Sequence, residues 1–320
     1  MSEKQILRSE FILEKYGKSL AGKTVLITGV ASNSIAGELA IQLSTASPKL
    51  LILSARDESK VAGIIKKIQE TNPNVATRFL KMDLGDLGEI RQAVKNDLAD
   101  VPLIDHVACV AGVMTCPYGK TKDGFETQFG VNYLANFLLV KLLLPKVQAA
   151  GPSSSVIIVS SSVVRLGRIN FDDLAFSDGK TYDSLSGYAQ SNIARVMFAK
   201  RLGEKLKSQK IRVFSIDPGA VISGLQRHVN ESTFASLYKD DPPRDVDGKL
   251  YEGPPWTSPS EGAANIITGM LDPTISDQSG AYIEQNAIAD SVLPKQSLDE
   301  NNWTRLWELS ENFIQEKYSI

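Results

Sequence analysis

Only two cysteines, Cys109 and Cys116, occur among 320 residues. They are too few for a disulfide framework and read as buried spectators in a reducing compartment. A surplus of charge is equally absent: 35 Lys and Arg against 37 Asp and Glu leave a net charge of −2. Proteins that grip nucleic acid or an anionic membrane surface need a basic excess. The expected partner is therefore a small-molecule substrate, with no nucleic acid and no membrane, and a homodimer as the assembly left open. The most apolar stretch, NFLLVKLLLPKV, is broken by Lys141 and Pro145 and falls short of a bilayer span. The opening MSEKQILRSEFILEKYGKSL has neither the apolar core nor the cleavage site of a signal peptide. Residues 1–20 are read as a polar helical extension laid on the domain, and the expected localisation is cytoplasmic. No internal repeat is visible, and no metal site is expected.

What is present is alternation. Short β-branched runs, TVLITG, LLILSA, ATRFLKMD, DHVACVAG, VIIVSS, RVFSID and GAYIE, are separated by helical patterns such as Ile35, Leu39 and Leu43. Runs that are apolar throughout, VLI and VIIV, suit strands covered on both faces. The expected fold is one α/β domain over 21–320 with a doubly wound, mostly parallel sheet of about seven strands. In such a sheet ligands bind beyond the carboxyl ends of the strands, so the residues following each run carry the chemistry. The one departure is Gly224 to Pro259, rich in Pro, Gly and charge and expected to be a substrate lid.

TGVASNSIAG follows the first run and opens a helix, where N–H groups and the helix dipole can hold a pyrophosphate. Gly29 supplies the tight turn; Ser34 and Ala36, flanking Ile35, let phosphates approach. Arg56 ends the second run, where arginine favours a 2′-phosphate, so NADP(H) is preferred over NAD(H). Asp83, followed by Leu84, can meet the adenine amino group or can cap the next helix. Ser160 to Ser162 end the fifth run, and a hydroxyl there can orient a substrate carbonyl while the Tyr188 phenol gives it a proton.

These residues, with FGVNYLANFLL, LGRINFDDL, YAQSNIARVMFAKRL, IDPGAV and RLWELSE, resemble the short-chain dehydrogenase/reductase family over nearly the whole chain, in particular its retinol-dehydrogenase-like branch and atypical fungal relatives. The resemblance implies a single Rossmann-type domain, NAD(P)(H), and a tetrad of Asn, Ser, Tyr and Lys. It places Asn132 as the water-holding asparagine, Ser161 as the substrate-orienting serine and Tyr188 as the acid/base. It brings Pro218, Gly219 and Val221 past the nicotinamide, with Ser223 near the phosphates. CVAG stands where the family writes NNAG, leaving Ala111 and Gly112 to the cofactor.

The lysine position is occupied by Asn192. At about 5 Å and an effective dielectric near 20, the missing charge is worth roughly 3 kcal/mol, or about two pK units on Tyr188. An amide can keep a ribose hydrogen bond but supplies no charge. The loss falls on alcohol oxidation, which needs phenolate; carbonyl reduction needs the neutral phenol. The expected function is NADP(H)-dependent reduction of a carbonyl or imine in a small apolar substrate, in specialised metabolism. The alternative is a non-redox isomerase, dehydratase or cyclase using Tyr188 and Ser161 as proton donors. A cation can also arrive from Arg165 or from Arg195; Arg195 lies roughly 10 Å along the helix axis from Tyr188 and is the poorer candidate on that count. Restoring lysine at position 192 is expected to raise turnover. Trp256, between GPP and TSP, is the expected substrate contact of the lid.

Overall fold

The computed structural model describes residues 7–229, 244–251 and 253–320. Its core is one eight-stranded sheet in the order β10-β9-β6-β5-β4-β1-β2-β3. The strands are β1 (Thr24–Thr28), β2 (Leu50–Ala55), β3 (Ala76–Lys81), β4 (His106–Cys109), β5 (Ser155–Val159), β6 (Arg212–Ile216), β9 (Tyr282–Glu284) and β10 (Ala287–Ile288). All neighbours pair in parallel except the edge strand β10, which runs antiparallel to β9. Every residue of β1, β5 and β6 is buried, as strands covered on both faces must be. Strand order reverses between β1 and β4, and ligands of doubly wound sheets bind at that switch point.

The seven expected strands are all present, and β10 is the addition. It closes a hairpin through Gln285 and Asn286, both at positive φ (50° and 59°), the geometry of a two-residue turn that suits strand twist. A strand that short, without the Asn-Gly signal, leaves little periodicity to read. A second small sheet pairs β7 (Ala220–Val221) with β8 (Trp256–Thr257).

Successive strand residues point to opposite faces, and each face carries its own core. Val25, Ile27 and Ile157 pack with α1 (Ser9–Tyr16), α2 (Ile35–Ser44), α3 (Ser59–Thr71) and α7 (Pro259–Leu271). Leu26, Val156 and Ile158 face α4 (Leu87–Gln92), α5 (Ala135–Ala150), α6 (Ser184–Leu206) and, after the short α8 (Lys295–Leu298), α9 (Glu300–Ile314). The extension proves part of this packing: α1 buries Ile12 and Leu13, and Ser9 Oγ donates to the Ser260 carbonyl of α7 at 2.6 Å.

The helix around NFLLVKLLLPKV is longer than that motif. A π-helical turn at Phe129–Leu134 runs into α5, giving 22 residues long and apolar enough to cross a membrane, yet 72% of its most apolar window is buried inside the domain. Phe137 at its centre packs on Tyr133, Phe198 and Trp307, as in a core helix.

α6 lies tight on the sheet because glycine meets glycine. A Cβ on Gly203 would stand 2.5 Å from the Gly280 nitrogen, just before β9. Alanine is the better helix former by about 1 kcal/mol, but here the clash wins. Gly203→Ala is expected to lower stability by about 1–3 kcal/mol in urea unfolding; a neutral or stabilising effect would mean that α6 has slack over the sheet.

Candidate active site

At the carboxyl ends of β1, β4, β5 and β6 lies a cavity of about 210 Å³. It brings together Ile35, Gly112, Ser161, Tyr188, Arg195, Pro218, Gly219, Val221, Ser223 and Trp256 from the sequence reading, and adds Val110, Met114 and Tyr251. Gly29, Ser34, Arg56, Asp83, Leu84, Ala111, Asn132 and Asn192 do not line it and act, if at all, from around it.

On the β1 side, Gly29 sits at φ 77° with Ala111 so close that a Cβ would stand 2.7 Å from the Ala111 Cα. Thr28 Oγ1 accepts from the Val110 and Ala111 N–H groups at 3.0 and 3.1 Å, so a neighbouring strand holds the CVAG turn. Ser34 caps α2, accepting from Gly37 N at 3.0 Å and donating to the Ala31 carbonyl at 2.8 Å. Gly37 was passed over in the sequence; a Cβ there would meet the Ala31 oxygen at 2.3 Å, so it is the glycine that lets the loop fold onto the helix start. Its signal was a glycine in the first turn of a helix, directly after Ala36. The N–H groups of Ile35 and Ala36 are first-turn donors with no intrahelical partner, as at any helix start. Arg56 is exposed after β2 and joins no ion pair among the described residues. Asp83 does not cap α4; Asp86 does, accepting from Gly88 N at 2.8 Å, while Asp83 accepts from Gly85 N at 2.8 Å. The Leu84 side chain is in the core.

At the catalytic end, Tyr188 on α6 is 6% exposed. Burial pushes its phenol above the ordinary value, while the Arg195 charge and the Ser161 and Asn192 side chains pull it down and Asp217 pushes it up. Ser161 is half-buried, faces the cavity and accepts from Val163 N at 3.3 Å. Ser160 Oγ donates to the Asn192 carbonyl at 3.1 Å, tying α6 to β5. Asn132 is not free to hold a water by its side chain: Oδ1 accepts from Val113 N at 2.8 Å, and Nδ2 donates to the Val113 carbonyl at 2.9 Å and Ser191 Oγ at 3.0 Å. The Asn192 amide is fully buried and donates to the Tyr188 carbonyl at 2.9 Å.

The ranking of the two arginines is reversed. Arg165 is held by Glu284 in a half-buried ion pair, whereas Arg195 turns back into the cavity that Tyr188 lines. Helical side chains lean toward the N-terminus of their helix, and a distance along the axis ignores that reach.

The lid is described in part. Leu225 and Tyr251 line the cavity, while Phe234, Leu237 and Tyr238 lie outside the described residues. Trp256, expected in irregular chain, pairs with Ala220 in β8 and stays 64% exposed at the cavity rim. Ser223, expected at the phosphates, spends its Oγ on Leu225 N at 3.3 Å.

A glycine-lined helix start at the switch point, beside a buried tyrosine and a serine, defines a dinucleotide-dependent oxidoreductase site. The short chain dehydrogenase profile matches residues 23–233, and the chain belongs to the short-chain dehydrogenase/reductase family, whose cofactors are nicotinamide dinucleotides. It is 37% identical over 301 residues to human retinol dehydrogenase 13, covering 92% of this chain and 86% of that one. Among solved structures, an uncharacterised protein of Mycobacterium paratuberculosis superposes with TM-score 0.68 at 24% identity, over 94% of this chain and 96% of its own. A short chain dehydrogenase of Shigella flexneri, solved in complex with NADP, gives TM-score 0.61 at 20% identity over 84% and 98%.

Beneath the cavity, burial pushes Asp217 up to about 7, helped by Glu284 and opposed by the Gly219 N–H and Arg165. The folded state keeps a proton there that the unfolded chain releases near its ordinary 3.8, so stability falls as pH rises between about 4 and 7 and is flat above. Asp217→Asn, which keeps an acceptor for Gly219 N, is expected to remove that slope, on the order of 2–4 kcal/mol between the two limits. Urea unfolding across the window checks it; an unchanged slope would assign the titration elsewhere.

Proposed function

We propose that this chain is an NADP(H)-dependent reductase of a carbonyl or imine carried by a small, largely apolar substrate. The observation that carries the reading is Tyr188: buried at an apolar cavity beside Ser161, its phenol keeps its proton at neutral pH and is an acid in waiting. Reduction consumes that proton; oxidation would need it gone first. The lining of Val110, Met114, Val163, Leu185 and Leu225 suits an apolar substrate.

The residues present fit a dinucleotide. Gly29 and Gly37 clear space that a Cβ would fill, and the first turn of α2 offers orphan N–H donors at the positive end of the helix dipole. Pro218 and Gly219 would flank the nicotinamide, and Arg56, exposed and in no ion pair among the described residues, would meet a 2′-phosphate. A bound nicotinamide dinucleotide would supply the hydride. Ser161 Oγ would hold the substrate oxygen while Tyr188 gives it a proton as negative charge develops there. The NADP complex of the Shigella flexneri relative supports the choice of dinucleotide.

The direct test is a fluorescence titration with NADPH followed by absorbance loss against ketones, aldehydes and cyclic imines; NADPH binding without turnover on any of them would reject the reading. Arg56→Ala is expected to weaken NADPH about 10- to 100-fold and NADH less than about twofold, the scale of charge-assisted hydrogen bonds to one phosphate. Equal losses would remove Arg56 from the 2′-phosphate. Trp256→Ala is expected to raise the substrate KM about tenfold, because the exposed indole is free to cover a ligand. The melting temperature should barely move; a large drop at unchanged KM would make Trp256 a structural residue.

A further inference from the structure

We propose that Arg195 is the cation of this active site, its guanidinium doing for Tyr188 what the family's lysine does and Asn192 steering it into place. The inference rests on the reading of Tyr188 as the proton donor of a reductase.

Tyr188, Asn192 and Arg195 stand at i, i+4 and i+7 on α6, one face of one helix. The Arg195 side chain reaches back to Asn192 and lines the same cavity as Tyr188. Its Nε donates to the Asn132 carbonyl, one Nη donates to the Ala111 carbonyl at 2.5 Å, and the other lies 3.5 Å from Asn192 Oδ1. The guanidinium therefore binds directly to the asparagine that the family uses to hold a water. Room for it depends on Gly112, where a Cβ would stand 3.4 Å from Nη2 and 3.1 Å from Asn132 Oδ1.

The charge is not cancelled. Arg195 is 3% exposed, and its acceptors are two carbonyls and an amide; no carboxylate pairs with it among the described residues. Burying a charge on neutral partners is costly, whereas Arg165 and Lys200 have Glu284 and Asp290. Cys109 beside it stays a neutral thiol, pushed up to about 12 by burial. Burial brings the guanidinium down to about 10, so it is protonated at neutral pH. The groups acting on Tyr188 are Arg195 and Asn192 from α6, Ser161 beyond β5 and Asp217 beyond β6. Arg195 is the one cation among them. When Tyr188 gives up its proton, the O–H pair of electrons stays on the phenolate oxygen, and Arg195 stabilises that charge through space. Asn192 is then a positioning residue, and lysine at position 192 would add a second cation to the same pocket. The simple expectation that Asn192→Lys raises turnover is reversed.

The test reads Tyr188 itself. A fluorinated tyrosine at position 188, whose phenol titrates lower, is followed by fluorine NMR in the cofactor-free protein. Arg195→Gln is expected to raise the midpoint by roughly one to two pH units. Arg195→Lys should move it less than half as far, and Asn192→Lys combined with Arg195→Gln should return it. Asn192→Lys alone should lower turnover. A folded Arg195→Gln protein with an unmoved midpoint overturns the proposal. If that variant does not fold, the double variant decides: a midpoint within about half a unit of wild type supports the exchange of cations, and one shifted upward by a full unit or more refutes it. The two readings fail separately: a shifted midpoint with no NADPH oxidation by the wild-type enzyme sinks the reductase and keeps the cation, while turnover with no shift sinks the cation alone.

Discussion

The closeness of α6 to the sheet is the constraint on which the site depends. Three contacts leave the helix no slack. Ser160 Oγ reaches the Asn192 carbonyl at 3.1 Å, Gly203 faces Gly280, and Gly167 leaves so little room that a Cβ would lie 2.4 Å from that of Ala189. So clamped, the helix presents Tyr188 to the cavity and Asn192 and Arg195 to the buried turns. Because the backbone is fixed by sterics and one hydrogen bond, the polar side chains are free to be arranged for chemistry.

Two electrostatic arrangements flank the tyrosine and differ in kind. On the β4 side, Arg195 rests on neutral oxygens and keeps its charge for its surroundings. On the β6 side, Arg165, Glu284 and Asp217 form a nearly self-neutralising group under Tyr251. Tyr188 thus lies between a field that favours phenolate and a buried acid that favours phenol. With burial added, the proton stays on the oxygen.

Much of this was legible in the sequence. Strands β1, β2, β4, β5 and β6 announce themselves because a strand covered on both faces must be largely apolar, whereas β3, half-exposed at the sheet edge, and β9 showed through their place in the alternation. Position after a strand singled out Ser160 to Ser162, whereas the choice of Ser161 among them, and Pro218 and Gly219, came with the family resemblance. What escaped depended on three-dimensional reach. Arg195 was discounted because spacing along a helix axis ignores the lean of a long side chain. Gly37 escaped because its closeness to the Ala31 carbonyl is visible only in three dimensions. The two-residue strand at Trp256 was hidden because its flanking sequence, two prolines among it, reads as irregular and the pairing needs Ala220 as its partner. Asp83 was left open between cap and adenine contact, and the hydrogen bonds give the cap to Asp86.

The first helix has a consequence for how the cavity is held. Ser9 of α1 bonds Ser260 across 251 residues of sequence, and Glu10 Oε2 accepts from Ser260 Oγ at 2.8 Å. Ser260 lies just beyond the Ser258 cap of α7, which follows directly on β8 and the Trp256 rim. A contact of such separation couples the two ends of the described chain, so a change that loosens α1 is passed through α7 and β8 to the outer wall of the cavity. The segment before β1 thereby acts as a brace for that wall.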